Sequence, residues 1–267
     1  VRGDMRRPCV VVPAYNAEAT LGPLLERLLP LAGRVAVVDD GSADGTARVA
    51  AAFAPRGVEL LCHPRNRGKG AALRTGFRWA MAQGCRAVVT LDSDLQHAPE
   101  DLPALLAAFD ETGADVLVGS RVHERDRMPG ARRFGNWISS WFAGRFCHRP
   151  VPDSQCGFRI YRLPECAGLL ADLRADRFDA ETEVLLKAAV RGLRIAFAPI
   201  TVIYPEGGRH RSHYRAWVDT LRIIRLYFLE LCRRTFTPRG RRDVRELRRH
   251  GPGGCHGSGY RLLPREW

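Results

Sequence analysis

Ala87-Val88-Val89-Thr90-Leu91-Asp92-Ser93-Asp94-Leu95-Gln96-His97 is a β-branched, apolar run that stops on two carboxylates one residue apart. A short run of this kind reads as a buried strand. Polar side chains placed where such a strand ends mark the carboxyl edge of an open α/β sheet, the edge at which ligands of these sheets collect. Two acids in one turn can converge on a hard divalent cation, and such a cation can bridge the oxygens of a diphosphate. Acids are common in turns, so the pair gains meaning only from what surrounds it.

Working outward, 9–13, 34–38, 58–62 and 116–119 repeat the strand pattern of 87–91. Between them 18–29, 46–53, 71–83 and 99–110 carry apolar residues at helical spacing. This alternation predicts βαβ units around a mainly parallel, Rossmann-like sheet flanked by helices. Pro99 with Glu100 and Asp101 makes a favourable helix start. After residue 120 the pattern becomes irregular: an arginine- and glycine-rich loop at 121–135, a helix at 137–146, strands at 158–161 and 195–202, and a helix at 181–191.

Two more polar clusters end strands. Pro13-Ala14-Tyr15-Asn16 closes the first, and Val38-Asp39-Asp40-Gly41-Ser42-Ala43-Asp44-Gly45-Thr46 closes the second. An aspartate there can accept bonds from a base or ribose, and Tyr15 offers a flat face. Asp44 or Thr46 suits the cap of the following helix. Arg67-Gly68-Lys69-Gly70 resembles a phosphate loop only superficially, because Gly70 and Ala71 follow Lys69 and the GxxxxGK[ST] frame is missing. Its glycines suit close packing of a loop and a helix, and Lys69 is either a diphosphate contact or a solvated charge.

The chain has 267 residues, 45% of them hydrophobic, and a net charge of +13. Residues 233–249 hold eight arginines against Asp243 and Glu246, a block that favours an anionic partner. Its aromatics are not interleaved with that block and no nucleic-acid module occurs, so no nucleic-acid partner is expected. The eight cysteines form no CxxC pair and no zinc spacing. They read as buried free thiols of a reducing, cytoplasmic chain. No stretch reaches about 18 uncharged apolar residues, so a membrane-spanning helix is not expected. In 214–232, Trp217, Leu221, Ile224, Phe228 and Leu231 share one helical face. That helix either lies in the interface of an anionic membrane, backed by the basic tail, or packs on the catalytic core.

These motifs, in this order, resemble the family 2 glycosyltransferases of GT-A fold, especially the dolichyl- and polyprenyl-phosphate mannosyl- and glucosyltransferases. The likeness covers most of 8–215: PAYN at 13–16, DDGSADGT at 39–46, NRGKGAALRTGF at 66–77, DSDLQH at 92–97, GSR at 119–121, DSQCGFR at 153–159 and RFDAETEVL at 177–185. Arg209-His210-Arg211-Ser212 completes the run. It implies a catalytic unit over 1–213; beyond it, hydrophobic spacing and composition predict an amphipathic helix over 214–236 and a basic, disordered tail over 237–267. The likeness further implies inverting transfer of a hexose from a GDP- or UDP-linked sugar to a polyprenyl or dolichyl phosphate, at the cytoplasmic face of a membrane.

By position, the resemblance assigns Pro13, Tyr15, Val38, Asp40, Asp92 and Ser93 to the nucleotide sugar, with Arg209 or Arg211 closing over the diphosphate. Asp92, Asp94 and Gln96 would hold Mg²⁺ or Mn²⁺. Ala17 stands where many relatives have glutamate, with Glu18 one place later. Arg121 and Arg133 match acceptor-phosphate arginines; Trp137 occupies the place of a serine that often follows, leaving Ser139 as a loose substitute. A phosphate monoester has a second pKa of about 6 and needs cations rather than a base. A hydroxyl acceptor needs a positioned base. Asp153 is the acid near the reacting centre, able to orient the acceptor loop, assist the metal, act as base or cap its loop. Asp94 stands with it as a catalytic candidate, and Glu181 as an active-site neighbour.

Overall fold

The computed structural model describes residues 8–123, 130–147, 150–203 and 224–228. Arg209, Arg211, His148, His213, the basic block and most of the 214–236 helix lie outside the described residues. A seven-stranded sheet in the order β3-β2-β1-β4-β6-β5-β7 forms the centre. Its strands are β1 (Cys9–Ala14), β2 (Arg34–Asp39), β3 (Val58–Cys62), β4 (Ala87–Thr90), β5 (Val116–Ser120), β6 (Arg159–Arg162) and β7 (Ile195–Pro199). Pairing is parallel except at β6, which runs antiparallel to both β4 and β5.

Every residue of β1, β4 and β5 is buried. Such continuous apolar runs belong to strands covered on both faces, which explains why they alternate so little. β3 at the sheet edge shows exposed and half-buried positions instead. The helices are α1 (Glu18–Leu28), α2 (Thr46–Ala52), α3 (Lys69–Ala82), α4 (Leu102–Thr112), α5 (Gly130–Cys147), α6 (Leu163–Ala171) and α7 (Asp179–Val190). α1 buries Leu21, Leu24, Leu25 and Leu28, the stripe that a 3.6-residue period places on one face.

Three expectations need correction. The 121–135 loop is shorter than its composition suggests, because α5 already begins at Gly130; glycine lowers helix propensity but does not forbid a helix that packs on the core. α3 begins at Lys69 rather than 71. Among the cysteines, Cys9 and Cys85 are joined by a disulfide across 76 residues, with their Cα atoms 6.3 Å apart. Cys9 opens β1 and Cys85 precedes its neighbour β4, an adjacency that spacing along the chain does not reveal. Cys156 and Cys166 are buried thiols, as expected, while Cys62 is exposed.

The described turn of the C-terminal helix packs on the core through Leu226 and Tyr227, the latter donating from its hydroxyl to the Ser139 carbonyl at 2.9 Å. Phe228, expected on the same buried or interfacial face as Ile224, is 60% exposed.

Candidate active site

β1, β2 and β4 are adjacent and parallel, so their carboxyl ends share one edge and the three polar clusters meet there. The loops after β1 and β2 are laced together. Asn16 N–H donates to Ser42 Oγ at 2.9 Å, and Ala43 N–H donates to Asn16 Oδ1 at 2.9 Å. Ala17 N–H at the start of α1 donates to Thr46 Oγ1 at 2.7 Å, while Asp44 accepts from the amides of both Glu18 and Thr46. Asp44 therefore serves two helix starts, and Thr46 serves the neighbouring helix rather than its own. Glu18 accepts from Gly45 N–H and pairs with Arg48; here it braces the loop.

Pro13 and Val38 are buried strand residues, Tyr15 is half-buried, and any nucleotide contact from Val38 would come from its main chain. Asp40 is 3% exposed and fully engaged: it accepts from Arg67 N–H at 3.0 Å, from Gly68 N–H at 2.6 Å, and lies 2.6 Å from His63 Nδ1. Its role in the fold is to hold the 66–68 loop. Gly68 has φ +96°, and a Cβ there would collide with the Asp176 carbonyl, so only glycine lets this loop lie against 175–176.

Asp92, Ser93 and Asp94 are half-buried at the end of β4, and Gln96 is buried. Gln96 N–H donates to Asp94 Oδ1 at 3.1 Å. Leu95 has φ +58°, a left-handed conformation that costs a side chain of this kind about 1–3 kcal/mol and persists where its surroundings impose it. Asp92 faces Lys69, with Nζ 2.7 Å from its Oδ1, and the same ammonium lies 2.8 Å from Glu181 Oε1. Burial would raise the Asp92 pKa, but the charges of Lys69 and the neighbouring groups outweigh it and hold the carboxyl below its usual range. Burial wins at Glu181 and pushes its carboxyl up, against the pull of Lys69 and Arg159. Gly157 backs the pair, since a Cβ at that position would strike the Asp92 carboxylate. His97 is buried beneath the turn, its pKa lowered by burial and by Arg121.

Asp153 and Arg121 form a second buried pair. Arg121 Nε and Nη2 donate to the two carboxylate oxygens at 2.7 and 2.9 Å, and Asp153 is 1% exposed. Bidentate charged pairs of this kind are among the stronger hydrogen-bonded contacts. Burial alone would raise the Asp153 pKa; the Arg121 charge and hydrogen bonds reverse the sign and depress it. Gln155 N–H also donates to Asp153 Oδ1 at 3.1 Å, so the carboxylate caps its own loop as well as orienting Arg121.

Arg133 is exposed on α5. Ser139 is fully buried, its hydroxyl accepting from Ser154 Oγ at 2.8 Å and from Gln155 Nε2 at 3.3 Å. That closed network joins α5 to the 153–155 loop and does not present Ser139 to an incoming phosphate. Sequence reading underrated Lys69 and Gly157, and missed Arg159 altogether. Arg159 is completely buried and donates to the carbonyls of Cys156, Ser154 and Glu181, tying the loop before β6 to α7. A buried arginine aimed at three carbonyls leaves no local trace in a sequence rich in arginine.

The donor set suits a hard cation. Mg²⁺ takes one or two carboxylates together with substrate phosphates rather than an all-protein cage, and Asp92 with Asp94 supplies such a pair. Among the described residues no group of three or more His, Cys, Asp or Glu is placed to hold a metal by itself.

The model for "Glycosyl transferase family 2" matches residues 9–163. The chain is 31% identical over 214 residues to the undecaprenyl-phosphate mannosyltransferase of Micrococcus luteus, covering 77% of this chain and 87% of that protein. It is 29% identical over 215 residues to the UDP-N-acetylglucosamine–dolichyl-phosphate N-acetylglucosaminyltransferase of Methanococcus voltae, covering 74% and 86%. In fold it is similar to S. aureus TarS 1-349 in complex with UDP-GlcNAc, with a TM-score of 0.54 at 20% identity over 85% of this chain and 66% of that one. A strand-end acid pair on a mainly parallel sheet, with a family match over more than half its length, makes this chain a member of glycosyl transferase family 2.

Proposed function

We propose that the enzyme transfers a hexose, with inversion, from a nucleoside diphosphate sugar to a polyprenyl phosphate at a membrane surface. The carrying observation is the Arg121–Asp153 pair. The acid best placed to serve an acceptor has both oxygens bound by a guanidinium and a depressed pKa, which makes it a poor general base. A phosphate monoester needs no such base, because it is already largely dianionic near neutral pH. It needs cations, and Arg121, oriented by Asp153, and exposed Arg133 supply them. The names of the relatives from Micrococcus luteus and Methanococcus voltae carry lipid phosphates as acceptors, which supports the same reading.

On the donor side, Tyr15 and the Pro13 and Val38 main chain would flank the nucleotide, with Asp92, Ser93, Asp94 and Gln96 beneath the diphosphate. Arg209 or Arg211 would close over it. Bound Mg²⁺ or Mn²⁺ would offset charge on the departing diphosphate. Asp92 and Asp94 would hold that ion, and the acceptor arginines would hold the incoming phosphate in line.

No helix among the described residues is long and apolar enough to cross a membrane. Trp137 and Trp141, four residues apart on α5, are 56% and 52% exposed, and Phe228 on the helix docked there is 60% exposed. Trp141 packs edge-on against Phe142, which stacks on Tyr227, so Trp141 is backed by aromatic side chains of α5 and the C-terminal helix. Amphipathic aromatics of this kind suit the headgroup layer where a lipid-phosphate acceptor resides.

The test is incubation of purified enzyme with radiolabelled GDP-mannose or UDP-glucose, polyprenyl phosphate and Mn²⁺ or Mg²⁺. Label is expected in the lipid-soluble fraction. Label appearing only on a water-soluble sugar or protein would instead identify a hydroxyl acceptor.

A further inference from the structure

Lys69 is the first residue of α3, and its backbone is clamped on both sides: Gly68 N–H donates to Asp40, and Gly70 N–H donates to the Asp176 carbonyl at 2.8 Å. Its side chain is 13% exposed and its ammonium is caught between Asp92 and Glu181, with the Phe178 ring 5.6 Å away. Burying a lysine with two carboxylates costs desolvation that a well-packed apolar cluster would avoid, and nothing in the sheet requires charge at this spot. What the location offers is contact with the acid pair. We propose that Lys69 is a placeholder cation: it holds Asp92 oriented and charge-compensated until a divalent ion arrives, so that the ion binds effectively only together with the nucleoside diphosphate. This rests on the reading of Asp92 and Asp94 as the metal-binding pair.

The physical argument is a competition. A divalent ion arriving alone meets an Asp92 whose Oδ1 is already taken by the ammonium and which lies beside a like charge. Arriving with a diphosphate, it brings negative charge that offsets Lys69 and oxygen ligands that complete its own shell. Asp92 need not move, because Glu181 anchors the ammonium from behind and Gly157 leaves the carboxylate room. Lys69 is thus a positioning residue that sets the order of binding, and Glu181 is its anchor.

The protein can be titrated with Mn²⁺, followed by the electron paramagnetic resonance of the free ion, alone and with GDP or UDP. In the wild type the nucleotide should tighten Mn²⁺ binding by about tenfold or more, within the usual span of coupling between sites. Lys69→Met should bind Mn²⁺ several-fold more tightly without nucleotide and lose most of that coupling, and Lys69→Arg should retain it. Should Lys69→Met fail to fold, the double variant Lys69→Met/Glu181→Gln removes the buried unpaired acid and carries the same expectation. Nucleotide affinity in EDTA should change little, whereas a loss of about tenfold would identify Lys69 as a direct diphosphate ligand and overturn the proposal. Unchanged coupling in a folded Lys69→Met protein, with Asp94→Asn abolishing Mn²⁺ binding, would overturn the placeholder role and leave the metal pair standing. A wild type that binds no Mn²⁺ with either nucleotide would overturn both.

Discussion

The two halves of the sheet, β3-β2-β1-β4 and β6-β5-β7, are held in different ways. In the first all strands are parallel, and the strand-end loops are fixed by short bonds between backbone amides and the side chains of Asn16, Asp40, Asp44 and Thr46. In the second an antiparallel strand intervenes. Its loops are fixed by buried arginines: Arg121 on Asp153, and Arg159 on three carbonyls. The first half relies on short local bonds between neighbouring loops. The second relies on buried guanidinium groups held in fixed orientation by a carboxylate and by main-chain carbonyls, and on the proposed reading Arg121 is the one that would meet an anionic acceptor.

The sharpest way to break this contrast is Asp153→Ala, which leaves Arg121 buried without its partner. Loss of one member of a buried pair costs about 3–5 kcal/mol, and a urea titration should show it. Because the folded-state pKa of Asp153 is depressed, its contribution is complete above the unfolded carboxylate value of about 4 and fades as pH falls through the lower folded value. Wild-type stability should therefore drop more steeply in acid than that of the variant. If both curves run parallel, the pair is not what holds this half of the sheet.

Gly157→Ala probes the seam between the halves. The added methyl strikes the Asp92 carboxylate, and a displacement of order 1 Å at a reacting group can cost about 10²-fold in rate. The transfer assay should show such a loss with a melting temperature near that of the wild type. Equal activity would mean that Asp92 is not used where it stands. The smallest effect is expected from Trp137→Ser/Trp141→Ser. Exposed substitutions change stability by about 0.5 kcal/mol or less, so the fold should be unaffected while sedimentation with anionic vesicles weakens. Undiminished vesicle binding would remove α5 from the membrane contact.

Much of this was legible along the chain. The strands β1 to β5 and helices α1 to α4 announce themselves because each is a local pattern, and the acid pair is conspicuous because it interrupts an apolar run. β6 was visible as a short apolar segment, but its direction was not, since an antiparallel insertion has the same composition as a parallel one. The early start of α5 was missed because its glycines are tolerated when packing supplies the stability that propensity lacks; α6 was missed although Pro164 and Glu165 open it with the same favourable start as Pro99 and Glu100.

Sequence alone determined the α/β class, because periodicity and strand-end polarity are properties of neighbouring residues, and the order of its motifs determined the family. Tertiary structure alone decided which charges meet. Lys69 and Glu181 are 112 residues apart, and Arg121 and Asp153 are 32 apart. Whether an arginine or a lysine in so basic a chain is solvated, or buried against a carboxylate, depends on the three-dimensional path that brings the two together.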